Sequence, residues 1–136
     1  METPNTILIV DDESGPRESL KLILKPFYNI EIAENGPQAL EIIQKKKIDL
    51  VTLDLKMPGM QGEEVLSRIK EAHPEIEVLI ITGHGTLKNA IELIRKGASG
   101  YELKPFTITE IVMNISKILN RKYKMQKLKH IFNHSV

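Results

Sequence analysis

The chain has 136 residues, 41% apolar and 27% charged, the size and make-up of one folded domain with a single core, which excludes a multidomain enzyme. It contains no cysteine, so a disulfide framework, a thiolate zinc site and a cysteine nucleophile are excluded, and a reducing compartment is expected. No Trp and 4% aromatics leave little for stacking on bases, so a nucleic-acid platform is not expected.

Short apolar segments alternate with amphipathic ones up to about residue 120. Ile7-Leu8-Ile9-Val10 reads as a strand, and residues 14–25 as a helix, with Pro16 in its first turn and Leu20, Ile23 and Leu24 on one face. Residues 28–32 alternate as a second strand; Asn35 then caps a helix carrying Ala39, Leu40, Ile42 and Ile43. Residues 48–53 give a third strand and 62–72 a third helix, 78–81 a fourth strand and 87–96 a fourth helix. A short strand at 101–103 precedes Thr107-Ile-Thr-Glu110, which has capping-box spacing before the last helix. No apolar run approaches the roughly 20 residues of a membrane span, and the polar start lacks an export signal, so the expected location is cytoplasmic, with no membrane partner.

Strictly alternating strands and helices imply a parallel sheet covered on both faces: an α/β, doubly wound fold. The first, third and fourth strands are continuous apolar runs and belong inside the sheet, whereas the second and fifth alternate and belong at its edges. With right-handed crossovers this is compatible with the order 2-1-3-4-5, flavodoxin-like, with a ligand crevice at the carboxyl ends of the strands where the order reverses.

The residues at those ends carry the chemistry. The first strand ends in Asp11-Asp12, the third in Asp54, the fourth in Thr82 and the fifth in Lys104-Pro105. Taken singly, each has an ordinary reading as a loop cap, a solvated strand end or a turn lysine; their convergence on one switch point is what points to function. Clustered carboxylates repel one another unless something positive sits among them, and an all-oxygen donor set suits Mg²⁺ better than zinc. With a metal and Lys104 neutralising its oxygens, a phosphoryl group can be attacked by a carboxylate, for which Asp54 is the central candidate. Thr82 would then donate to a phosphoryl oxygen, and Asp11 and Asp12 would hold the metal directly or through water.

Over residues 5–120 the chain resembles the receiver domains of two-component response regulators. The resemblance is carried by Ile-Leu-Ile-Val-Asp11-Asp12-Glu13, by Asp54-Leu-Lys-Met57-Pro58-Gly-Met-Gln-Gly62, by Ile81-Thr82-Gly83, and by Gly97-Ala98 with Tyr101-Glu-Leu-Lys104-Pro105-Phe106. It implies that Asp54 accepts a phosphoryl group from a sensor histidine kinase or phosphotransfer protein. It further implies Mg²⁺ on Asp11, Asp12, Asp54 and the backbone carbonyl of Lys56, phosphoryl contacts from Thr82 and Lys104, and a cis Lys104-Pro105 bond. Thr82 and Tyr101 would act as the switch, reshaping the face made by the fourth helix, fifth strand and fifth helix, where two copies could also associate. Lys56 and His84 occupy positions that vary in the family and overhang the phosphoryl group. The domain would catalyse only its own phosphorylation and dephosphorylation and serve transcription regulation or another output.

Three alternatives are weaker. A haloacid-dehalogenase-like phosphatase wants a second acid two residues after its nucleophile, where Lys56 stands. A flavodoxin-like cofactor binder needs a phosphate loop where Asp11-Asp12-Glu13 would repel the cofactor. A phosphate-independent scaffold has no reason to keep the full constellation. His73, His130 and His134 suggest no metal site, and Lys45-Lys46-Lys47 reads as a solvated helix end.

Charge is divided unevenly. Residues 1–120 carry 14 Lys and Arg against 18 Asp and Glu, while 121–136 carry five cations and no acid. The tail is expected to be either a basic helical extension of the last helix or the start of a linker.

Overall fold

The computed structural model describes residues 4–83 and 85–134. It contains β1 (Thr6–Val10), α1 (Ser14–Leu24), β2 (Asn29–Ala33), α2 (Gly36–Lys45), β3 (Leu50–Leu53) and α3 (Gly62–Ala72). These are followed by β4 (Glu77–Thr82), α4 (Leu87–Arg95), β5 (Gly100–Leu103) and α5 (Ile108–His134). All strand pairs are parallel, in the order β2-β1-β3-β4-β5, so the fold is the five-stranded doubly wound α/β sheet with five helices expected from the sequence.

The pleat explains why the central strands are apolar at most positions on both faces, with Thr52 of β3 a buried exception. Leu8 and Val10 of β1 face a core with Ala39 and Ile43 of α2, Val65, Leu66 and Ile69 of α3 and Leu93 of α4. Ile7 and Ile9 face the opposite core, with Leu20 and Leu24 of α1 and Ile111, Ile115 and Ile118 of α5. The caps are as expected: Asn35 accepts from the Gln38 N–H at 2.8 Å. The Thr107 hydroxyl accepts from the Glu110 N–H at 3.1 Å, and Glu110 Oε2 accepts from the Thr107 N–H at 3.4 Å, completing a capping box.

Several element ends shift by a single residue, and β3 shifts by two. β3 begins at Leu50, not at Ile48, because Asp49 is occupied in tying down the amino end of β1: its Oδ2 accepts from the Thr6 N–H at 2.8 Å and its own N–H donates to the Thr6 carbonyl at 2.9 Å. The last helix continues without a break to His134, so of the two readings of the tail it is the helical extension that the described residues follow. Burial stops at Leu119, and the exit of the extension is held by Lys122, whose ammonium donates to the carbonyls of Asp49 and Glu75. Among the described residues no helix is long and apolar enough to cross a membrane.

Candidate functional site

Each site residue is placed by the backbone of a strand end. The Asp11 N–H donates to the Ala33 carbonyl of β2 at 3.2 Å and the Asp54 N–H to the Val10 carbonyl of β1 at 3.1 Å. The ladder thus continues one residue past each strand and aims the two carboxylates into the same crevice. Lys104 is set in the same way, its N–H bonding the Thr82 carbonyl at 2.9 Å. The Lys104–Pro105 bond is cis.

In the crevice the Lys104 ammonium lies 3.0 Å from Asp11 Oδ2 and 3.1 Å from Asp54 Oδ2, bridging two carboxylates that are almost wholly buried. Asp12 is exposed at the rim. Asp11, Asp12 and Asp54 each present an oxygen within 4.8 Å of the others, and they form the only cluster of three or more metal-ligating side chains among the described residues. Asp11 Oδ1 accepts from the Glu13 N–H at 3.0 Å and Asp54 Oδ1 from the Lys56 N–H at 3.3 Å, fixing both rotamers. Partial burial alone pushes the Lys104 ammonium down, but hydrogen bonding and charge from Asp11, with Asp54, outweigh it and hold the ammonium above its ordinary range. A group that binds here therefore meets a cation that stays protonated.

The donor set is all oxygen and carries three formal negative charges against one lysine, which suits a hard divalent cation. The site also has the parts for phosphoryl transfer: a buried nucleophilic carboxylate, a fixed ammonium and a fully buried Thr82 at the end of β4. Lys56 is exposed in the loop after Asp54. His84 lies outside the described residues. His73 faces Glu75 at 3.6 Å, and the rings of His130 and His134, one turn apart on α5, lie tilted at 55° with centroids 4.4 Å apart, all away from this crevice.

A family model for the response regulator receiver domain matches residues 7–116. The chain belongs to that family. Sporulation initiation phosphotransferase F of Bacillus subtilis is 44% identical over 114 residues, which are 83% of this chain and 92% of that protein. Transcriptional regulatory protein ZraR of Klebsiella oxytoca is 37% identical over 114 residues, 83% of this chain but only 26% of that protein, so this receiver spans about a quarter of such longer relatives. Among solved structures, a CheY-like receiver domain protein from Methanospirillum hungatei superposes with a TM-score of 0.87 at 30% identity, covering 90% of this chain and 99% of that one. NtrX from Brucella abortus gives 0.89 at 30% identity, over 95% of this chain and 30% of that one. The receiver is thus a signalling domain of two-component systems.

Three residues of this receiver's site were missed from sequence. Arg17 is buried on α1, its Nη1 donating to the Asp11 carbonyl at 2.9 Å and its Nη2 3.6 Å from Glu34 Oε1, so it clamps the β1–α1 loop that bears the acids. A sequence signal existed: Arg17 shares the apolar face of Leu20 and Leu24, where a cation must find a partner. Gly85 and Asn89 surround the Tyr101 hydroxyl, which donates to Asn89 Oδ1 at 3.3 Å; a Cβ at Gly85 would fall directly on that hydroxyl. Burial, then the charge of Glu63, keeps the phenol protonated above its ordinary range.

Proposed function

We propose that this receiver takes a phosphoryl group on Asp54 from the phosphohistidine of a sensor histidine kinase or phosphotransfer protein. A carboxylate oxygen of Asp54 forms the new bond to phosphorus while the bond from phosphorus to the histidine nitrogen breaks, and the imidazole leaves with a proton from solvent. The observation that carries this reading is the Lys104 ammonium bridging Asp11 and Asp54 beside a third carboxylate at one strand-end crevice. Asp11, Asp12, Asp54 and the Lys56 carbonyl would hold Mg²⁺, which when bound neutralises charge on the transferring group. Lys104 can keep its ammonium on Asp11 while turning part of its charge to the incoming oxygens. Thr82 supplies a hydroxyl from β4 to one of them, and the clamp of Arg17 keeps Asp11 aimed while this happens.

Residues 5–120 form the receiver and 121–136 a basic extension. Output is read on the α4, β5 and α5 face, where Leu87, Ile91, Leu103 and Met113 are exposed. Movement of Thr82 toward the phosphoryl group would release Tyr101 from Asn89 and alter that face, which is also where phosphorylated copies would self-associate. The site works on the domain's own Asp54 only, in a cytoplasmic setting, and its output includes transcription regulation in longer chains.

The test is incubation with Mg²⁺ and a small acyl phosphate, read by intact mass. One added phosphoryl group in the parent, none in Asp54→Ala and none with chelator present are expected. No gain in a folded parent, or equal gain in Asp54→Ala, would overturn the reading.

A further inference from the structure

The part of α5 beyond the body carries chemistry that phosphoryl transfer does not use. Met125, Leu128 and Phe132 are 55%, 59% and 81% exposed and recur at steps of three and four, the a and d spacing of a two-helix seam. The series runs back through Arg121 to Ile118, which is buried in the core. Where it meets the body, the seam opens into a groove of about 580 Å³ between α5 and the end of α4, with Ile94, Ile118 and Met125 among its apolar walls, Arg121 and Lys129 on the helix side and Glu75 and Glu77 on the body side.

Charge decides what can cover this stripe. With Met125 and Phe132 at a and Leu128 at d, the flanking e and g positions hold Lys124, Lys129 and Ile131, together with Lys122, whose ammonium is already held by the Asp49 and Glu75 carbonyls. A second copy in parallel register sets Lys124 of each copy against Lys129 of the other and stacks Arg121 on itself. An antiparallel copy fares no better, because residues 121–134 contain five Lys and Arg and no acid. Like charge at e and g is a means by which a helical seam refuses a partner, and the same positions reward carboxylates. We propose that residues 121–134 are a docking helix for an acidic amphipathic helix of another protein, apolar at a and d with Glu or Asp at e and g, and not for a second copy of this chain.

The probe is a fluorescent synthetic helix of about four heptads with Leu at a and d and Glu at e and g, titrated with the full chain and followed by anisotropy. A control peptide carries Lys at e and g. Saturable binding of the Glu peptide alone is expected, with Leu128→Asp weakening it at least about tenfold. Because Leu128→Asp can also fray the helix, Lys124→Glu with Lys129→Glu provides the second arm: the stripe is intact and preference should pass to the Lys peptide. Equal binding of both peptides overturns the proposal. So does a dimer of the unmodified chain, by sedimentation equilibrium, that Leu128→Asp dissolves, or binding to phosphatidylglycerol vesicles with neither peptide bound.

Discussion

Replacing Lys104 by methionine removes one charge while keeping most of the side-chain volume. The ammonium lies 3.0 Å from Asp11 Oδ2 and 3.1 Å from Asp54 Oδ2, and those carboxylate side chains are 3% and 7% exposed, so neither can turn to water when the lysine is gone. Breaking a buried ion pair costs about 3–5 kcal/mol, because the remaining charge stays buried without compensation. The Lys104 side chain is itself 22% exposed, so solvent screens part of the pairing and the lower end, about 3 kcal/mol, applies. For a domain of this length that lowers Tm by about 10 °C. The assay is thermal unfolding followed by far-ultraviolet circular dichroism, in chelator and then in saturating Mg²⁺. Adding the cation returns positive charge to the cluster of Asp11, Asp12 and Asp54, so Mg²⁺ should raise the Tm of Lys104→Met more than that of the parent and narrow the gap. A variant as stable as the parent in chelator, or a gap that Mg²⁺ leaves unchanged, would refute the electrostatic account of the crevice.

Burial, then hydrogen bonding and charge from Glu110, raise the Glu102 carboxyl above its ordinary value, whereas Asn114 works the other way. A raised acid binds its proton more tightly folded than unfolded, so it adds stability at low pH and loses it as pH rises through the folded value. Glu102→Gln should therefore raise Tm at pH 7 and leave it unchanged below about pH 4, where the unfolded acid is also protonated; melts at the two pH values check this. A Cβ at Gly62 would meet the Asp54 carbonyl oxygen at 2.5 Å and Leu55 Cα at 2.6 Å, both backbone. Gly62→Ala should thus cost about 3 kcal/mol in urea unfolding and disturb the loop after Asp54. Tyr101→Phe deletes a single hydrogen bond to Asn89 and should cost about 0.5–1 kcal/mol by the same measurement. Gly85→Ala, which displaces the ring, should cost more than Tyr101→Phe.

Much of this was legible in the sequence for definite reasons. Residues such as Ile7 to Val10 are buried on both faces of the sheet, so an uninterrupted apolar run marks them as interior, and the alternation of β2 marks it as an edge. Asp54, Lys104 and Thr82 could be grouped because parallel strands deliver their carboxyl ends to one side. What escaped depends on side chains reaching across elements. The apolar face of α1 announces that Arg17 needs a partner but not that the partner is the Asp11 carbonyl six residues back, and nothing local announces that the Tyr101 hydroxyl needs an unsubstituted Gly85 on another loop. The start of β3 was misplaced because Ile48 is as apolar as the strand it precedes, and Asp49 is diverted to Thr6. The continuation of α5 is open in the sequence because a cationic segment reads alike as a helical extension or as the start of a linker; the tether of Lys122 to two loop carbonyls is what only the fold reveals.

The central claim is that Asp54, and no other carboxylate in the crevice, becomes the acyl phosphate. Borohydride reduces an aspartyl phosphate to homoserine, so treating the protein after exposure to Mg²⁺ and an acyl phosphate donor, then mapping peptides by mass, locates the acceptor directly. The account predicts homoserine at position 54 alone, absent when chelator is present. Homoserine at position 11 or 12, or none anywhere in folded protein that has gained a phosphoryl mass, would contradict it.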